Sequence, residues 1–181
     1  MNLAVFISGG GSNLKALIEA EKEAYFSSKI KLVVSNKEAG GLDHAKKAGI
    51  ETFVSKNEEE ILLKLKEKQI DLIVLAGYLP KVGKTLIEEY RIINIHPSLL
   101  PKYGGKGCYG IHVHEKVFEA GEEISGVTVH WVNEKLDDGA TIIQRQVDIK
   151  DCKNPQEIAK KVLAEEHVIL KNAIKLLEEE R

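Results

Sequence analysis

Leu3-Ala4-Val5-Phe6-Ile7-Ser8-Gly9-Gly10-Gly11-Ser12-Asn13-Leu14 reads as a strand, a glycine turn and the start of a helix. A short apolar run bounded by turn residues suits a strand buried on both faces, because a half-solvated strand alternates instead. The same unit recurs along the first half of the chain. Apolar runs at Leu3 to Ser8, Ile30 to Ser35, Glu51 to Val54, Leu72 to Ala76 and Ile92 to Ile95 alternate with helical patterns near Leu14 to Ala20, Leu42 to Ala48, Glu58 to Lys68 and Lys84 to Tyr90. That alternation predicts an α/β fold, a mostly parallel sheet with helices on both faces.

Beyond Pro101 the pattern changes. A glycine-rich segment, Tyr103 to Gly110, leads into a helix expected around His114 to Ala120. Gly126 to Val132 alternates, with Val127, Val129 and Trp131 on one face and Thr128, His130 and Val132 on the other. Gly139 to Val147 is a further strand, antiparallel to it. Asn154 as N-cap, Pro155 at the first helical position and Glu157 three residues on announce a final helix. No internal repeat, low-complexity tract or linker breaks the chain, so residues 1–181 are read as one domain.

Composition narrows the class of partner. A chain of 181 residues, 43% apolar and 30% charged, suits a soluble globular domain with a substantial core. Lys and Arg total 26 against 28 Asp and Glu, so no basic excess points to nucleic acid or a membrane surface, and a small molecule is the expected ligand. The N-terminus runs into its first strand without a basic region or a long apolar segment, which predicts neither signal peptide nor membrane span. Cys108 and Cys152 are too few for a disulfide framework and fit a reducing cytoplasm.

The chemistry concentrates in a few places. In Ile92-Ile93-Asn94-Ile95-His96-Pro97-Ser98-Leu99-Leu100-Pro101 an apolar strand delivers an amide and an imidazole two residues apart, hence on one face. Pro97 and Pro101 then stop regular continuation and stiffen the loop. A donor and an acid/base group side by side suit a carbonyl oxygen that gains charge, although a strand-edge His satisfied by a neighbour is the plainer alternative. The Ser8 to Asn13 loop, with free amides at a helix N-terminus, suits a phosphate. A dinucleotide fits less well, because that fingerprint wants glycine at Leu14 and an acidic residue where Ser35-Asn36-Lys37 stands. A tight turn capped by Ser12 accounts for only one or two of the three glycines.

Two attractive motifs fail on spacing. Gly77 to Thr85 ends in Gly-Lys-Thr, but a nucleotide P-loop needs its first glycine where Tyr78 stands. Cys108, His112 and His114 match no usual zinc spacing, so solvated or capping side chains are expected there. Two carboxylates remain. Leu136-Asp137-Asp138-Gly139 is an acidic turn that acquires chemical meaning if it faces His96. Glu166 falls about 80° round the last helix from Ile158, inside its apolar face, where a carboxylate is either paired at a site or meets solvent at the end of the core.

In this order the Gly-Ser-Asn loop, the strand ending in Ala76-Gly77-Tyr78, the Asn94 to Pro101 segment with Lys102-Tyr103, the Gly126 to Val132 strand with Leu136 to Gly139, and Glu165-Glu166-His167 resemble the phosphoribosylglycinamide formyltransferase family of the formyltransferase superfamily. The resemblance covers nearly the whole chain and implies a single Rossmann-like domain, its N-terminal half holding the ribonucleotide phosphate. It implies formyl transfer from 10-formyltetrahydrofolate, as co-substrate and without a metal, to the amine of glycinamide ribonucleotide in purine synthesis.

By position, Asn94, His96 and Asp137 would be the catalytic set, with Asp137 favouring a charged imidazole. Gly10, Gly11, Ser12 and Asn13 would hold the phosphate, and Glu166 the sugar hydroxyls. Leu79, Pro80, Lys81 and Val82, together with Asn94, Asn133, Glu134, Lys135, Leu136 and Asp137, would line the folate site. A homodimer is left open. The chain departs from the family pattern at Gly10, at Pro80-Lys81 and in its longer Tyr103 to Gly110 loop. Formyl-folate hydrolases and methionyl-tRNA formyltransferases share the His segment, and each would be expected to carry a further domain. A catalytically silent nucleotide-binding module is the alternative outside formyl chemistry.

Overall fold

The apolar runs of the first half lie side by side as parallel strands in the computed structural model, which describes residues 1–180. The elements are β1 (Asn2–Ile7), α1 (Ser12–Lys22), β2 (Lys29–Ser35), α2 (Leu42–Lys47), β3 (Glu51–Val54), α3 (Glu58–Glu67), β4 (Leu72–Leu75), α4 (Lys84–Glu89), β5 (Arg91–His96), α5 (Ile111–Glu119), β6 (Ile124–Trp131), β7 (Thr141–Asp148) and α6 (Pro155–Glu179). Among the described residues seven strands form one sheet in the order β3-β2-β1-β4-β5-β6-β7. β1 to β5 are parallel; β6 runs antiparallel to β5, and β7 antiparallel to β6.

Alternation along β1 sorts the core into two layers. Leu3, Val5 and Ile7 pack with Leu14 and Leu17 of α1, Val113 and Val117 of α5 and the apolar stripe of α6, whereas Ala4 and Phe6 pack with Ile61 and Leu65 of α3 and Leu86 of α4. Both faces of the sheet are therefore dry at its centre, and all four residues of β4 are buried. This is why the central strands read as unbroken apolar runs.

The strand order also positions the site. β1 pairs with β2 on one side and with β4 on the other, so the chain changes its direction of travel across the sheet there. The loops after β1 and β4 diverge at that point and leave a crevice beyond the carboxyl ends of the strands.

Most boundaries fall within two residues of the sequence expectation. α5 is the exception, starting at Ile111, three residues before the expected His114. Gly110 (φ +54°) turns the chain, and Val113 and Val117, one helical turn apart, seat the helix on the sheet. α6 begins as anticipated: Asn154 Oδ1 accepts the Glu157 N–H at 2.9 Å, and Glu157 Oε2 accepts the Lys153 N–H at 2.7 Å. No helix among the described residues is long and apolar enough to cross a membrane.

Candidate active site

β5 ends at His96 because Pro97 cannot donate to the ladder. The ring is only 4% exposed, so it is far more buried than a strand-end His need be. Its Nε2–H donates to the Tyr103 carbonyl at 2.8 Å, while Nδ1 lies 3.5 Å from Asp137 Oδ1. β6 runs antiparallel to β5 and ends with Trp131 opposite Ile93, and the turn that follows folds back until Asp137 stands beside His96. Asp137 itself adopts φ +53°, a left-handed conformation that Asp and Asn tolerate, and its Oδ2 accepts the Gly105 N–H at 2.8 Å.

Asn94 shares the face, as period-two alternation requires. Its Nδ2 donates to His130 Nε2 at 3.1 Å, and His130 Nδ1–H donates to the Trp131 carbonyl at 2.8 Å. Burial pushes the His130 pKa down, against the Trp131 carbonyl and Asp137, which favours the neutral ring that can accept from Asn94. His130 also stands 3.7 Å from Asp137 Oδ1, so it links Asn94 to the carboxylate. Sequence reasoning placed His130 on a strand face and gave it no role; the signal that finds it is antiparallel register, which sets Asn94 opposite His130.

These groups form the floor of a cavity of about 550 Å³. Its walls are the turn Leu79 to Val82, the turn Asn133 to Asp137 and residues 105–110 of the glycine-rich loop. The volume suits a flat molecule of drug size, and Leu79, Tyr109 and Leu136 expose apolar surface beside it. Residues 105–110 are a wall that sequence reading did not assign, since glycines carry no chemical signature.

The glycine loop and Glu166 are not part of that cavity lining; they form a second polar group. Ser12 is the first residue of α1 and not its cap, and no side chain caps this helix, so the N–H groups of its first turn remain open to a ligand. Gly11 adopts φ +68°, and a Cβ there would lie 2.8 Å from Gly41 Cα, so the fold itself demands glycine; a Cβ on Gly10 would meet nothing within 4 Å. Asn13 is buried, donates Nδ2–H to Glu166 Oε2 at 2.7 Å, and leaves its own Oδ1 without a partner among the described residues. The two groups are linked: Ser8 Oγ accepts the Leu79 N–H at 2.9 Å and donates to Asn36 Oδ1 at 2.7 Å.

Burial raises the Glu166 pKa, with the Asn13 amide opposing. A carboxyl whose pKa rises on folding disfavours the native state once both forms would ionise, and is neutral in its effect below the usual carboxylate range. Glu166→Gln, which keeps an acceptor for Asn13, should therefore show a higher Tm than the parent at pH 8, with the gap closing as pH falls below 4; thermal melts across that range check it.

His114 corrects the expectation of a solvated or capping side chain. It is 5% exposed, its Nδ1 has no partner among the described residues, and burial, with His96 nearby, lowers its pKa to about 4. His112 is exposed and meets Glu115, at 3.0 Å, and the Tyr109 ring edge-on. No group of three or more His, Cys, Asp or Glu among the described residues is placed to hold a metal ion.

The crevice brings an amide, an imidazole and a carboxylate together at a strand end, groups suited to an oxygen that gains charge in acyl transfer. Residues 1–174 match the family described as Formyl transferase, and the chain belongs to it. Relatives over nearly the full length include phosphoribosylglycinamide formyltransferases. The protein of that name from Escherichia coli (strain K12) is 37% identical over 181 residues, covering 93% of this chain and 83% of its own. The chloroplastic one from Arabidopsis thaliana is 40% identical over 192 residues, covering 99% of this chain and 66% of its own. The chain thus spans just under two thirds of this plant relative. The crystal structure of glycinamide ribonucleotide transformylase 1 from Symbiobacterium toebii superposes with a TM-score of 0.93 at 30% identity, over 100% of this chain and 89% of that one.

Proposed function

We propose that this chain transfers the formyl group of 10-formyltetrahydrofolate to the amine of glycinamide ribonucleotide, giving formylglycinamide ribonucleotide and tetrahydrofolate. The observation that carries the reading is the convergence of Asn94, His96 and Asp137 on the floor of a cavity large enough for a folate. In this reading the pterin and benzoyl rings lie between the Leu79 to Val82 and Asn133 to Asp137 turns, against Leu79, Tyr109 and Leu136. The ribonucleotide phosphate is held by the amides of Gly10 to Asn13 at the start of α1, and Glu166 accepts from the sugar hydroxyls. The N-terminal half of the chain thereby serves the phosphate and the C-terminal half completes the catalytic and folate site.

The chemistry follows from the geometry. Attack of the amine on the formyl carbon places negative charge on the formyl oxygen, which the Asn94 amide and His96 Nδ1–H stabilise. With Nε2–H committed to the Tyr103 carbonyl, Nδ1 is the nitrogen free to pass a proton to the folate nitrogen as its bond to the formyl carbon breaks, and the proton released by the attacking amine replaces it. Asp137 Oδ1 stands 3.5 Å from His96 Nδ1, where the carboxylate orients the ring. No step calls for a covalent enzyme intermediate or a metal. Holding two substrates in one crevice supplies much of the rate. The near-balanced net charge and the sparse, free cysteines support a cytoplasmic enzyme with small-molecule partners, as monomer or homodimer.

The decisive experiment follows folate release from formyl-folate with and without glycinamide ribonucleotide. Release only with the ribonucleotide is expected; release without it indicates a hydrolase, and none at all a binding module. The phosphate loop has a separate test in Gly10→Val, since the fold leaves room for that side chain. The variant should raise KM for the ribonucleotide about tenfold or more and leave KM for formyl-folate unchanged, because the side chain obstructs close approach to the backbone amides. Equal increases for both substrates would overturn the phosphate assignment.

A further inference from the structure

We infer that Glu122 is a positioning residue for the reaction, acting through the Tyr103 hydroxyl on the short segment that spaces His96 from Asp137. The inference rests on the reading of His96 and Asp137 as the catalytic pair. Residues 103–105 touch both members: the Tyr103 carbonyl accepts from His96 Nε2 at 2.8 Å, and the Gly105 N–H donates to Asp137 Oδ2 at 2.8 Å. Whatever fixes this segment fixes the separation of the acid from its carboxylate.

The segment does not hold itself in place. Tyr103 adopts φ +56°, a left-handed conformation unfavourable for a side chain of its size. Backbone in that region persists only where its surroundings over-determine it. The ring packs against the apolar core, and at its far end the hydroxyl donates to Glu122 Oε1 at 2.8 Å, which fixes the ring along its length. Lys102 Nζ reaches the same oxygen at 3.1 Å. These two donors hold the Glu122 carboxyl below the usual carboxylate range, so it is ionised at neutral pH and the Tyr103 bond is charge-assisted.

Fit leaves the segment little slack. At Gly104 a Cβ would stand 2.6 Å from Leu100 Cδ2 and 3.2 Å from Asp137 Cβ, so the segment passes too close to both side chains for any residue but glycine. Glu122 itself lies in the connection between α5 and β6, outside the lining of the folate-sized cavity. It faces a separate hollow of about 210 Å³ with Tyr103, Leu99 and Ser125. Its influence on the reaction therefore passes through Tyr103 and not through contact with a substrate.

The test compares Tyr103→Phe, Glu122→Ala, Glu122→Gln and the Tyr103→Phe/Glu122→Ala double variant, each checked for folding by circular dichroism. Tyr103→Phe and Glu122→Ala should each lower kcat about tenfold with both KM values within about twofold, since the loss falls on the reacting geometry and not on binding. The double variant should be no worse than either single one, because both remove the same link. Glu122→Gln, which still accepts the hydroxyl proton, should recover most of the rate. The His96 ring resonances should move in Tyr103→Phe and Glu122→Ala and stay near the parent's in Glu122→Gln. Folded variants with unchanged kcat and unchanged His96 resonances, or with additive losses, would overturn the inference. If the parent protein proves inactive in formyl transfer, that reading fails by itself, and the His96 resonances still decide the role of Glu122.

Discussion

His96→Gln should lower kcat for formyl transfer by about 10²- to 10⁴-fold, the range expected when a positioned proton donor is lost. Gln is the informative replacement because its side-chain amide can occupy the place of Nε2 and keep the bond to the Tyr103 carbonyl, which His96 makes at 2.8 Å. Ala would instead leave that carbonyl unpaired and open a void where the ring is 4% exposed, so its effect would mix folding with chemistry. The measurement is steady-state kinetics with both substrates, with the melting temperature as control. A stable variant with near-normal kcat would remove His96 from the catalytic set.

Asp137→Asn should cost about 10²-fold in kcat, a second-rank loss, because it removes the negative charge 3.5 Å from His96 Nδ1 while leaving an oxygen in place. The substitution is conformationally mild. Asp137 sits at φ +53°, which Asn adopts about as readily as Asp, and the Asn oxygen can still accept the Gly105 N–H. The KM values should therefore change little. A Tm near the parent's together with unchanged kcat would show that the acidic turn serves only as a turn; a large drop in Tm would show that its bond to Gly105 is mainly structural.

The legibility of this protein divides along the range of the interactions. The central strands β1 and β4 were readable because burial on both faces writes itself into the chain as uninterrupted apolar runs, and β6 because apolar and polar side chains alternate along it. The pairing of Asn94 with His96 was readable for the same local reason, since residues two apart on a strand share a face. His130 was not, although it touches both Asn94 and Asp137, because its place opposite Asn94 depends on the register of a strand 36 residues further on. His114 looked like a surface histidine until the early start of α5 turned it into the core.

The amino-acid sequence by itself determined the α/β class, the strand and helix order, the glycine turn before α1, the N-cap of α6 and the Asn-x-His segment, all of them consequences of side-chain period and backbone preference over a few residues. Tertiary structure alone decided that Asp137 faces His96, that Tyr103 and Gly105 bridge the two, that residues 105–110 wall the cavity and that Asn13 meets Glu166 across 153 positions of chain. Those contacts arise from how β6 returns beside β5 and how α6 packs against α1, and such packing is set by the summed burial of the whole sheet, which no local stretch of sequence encodes.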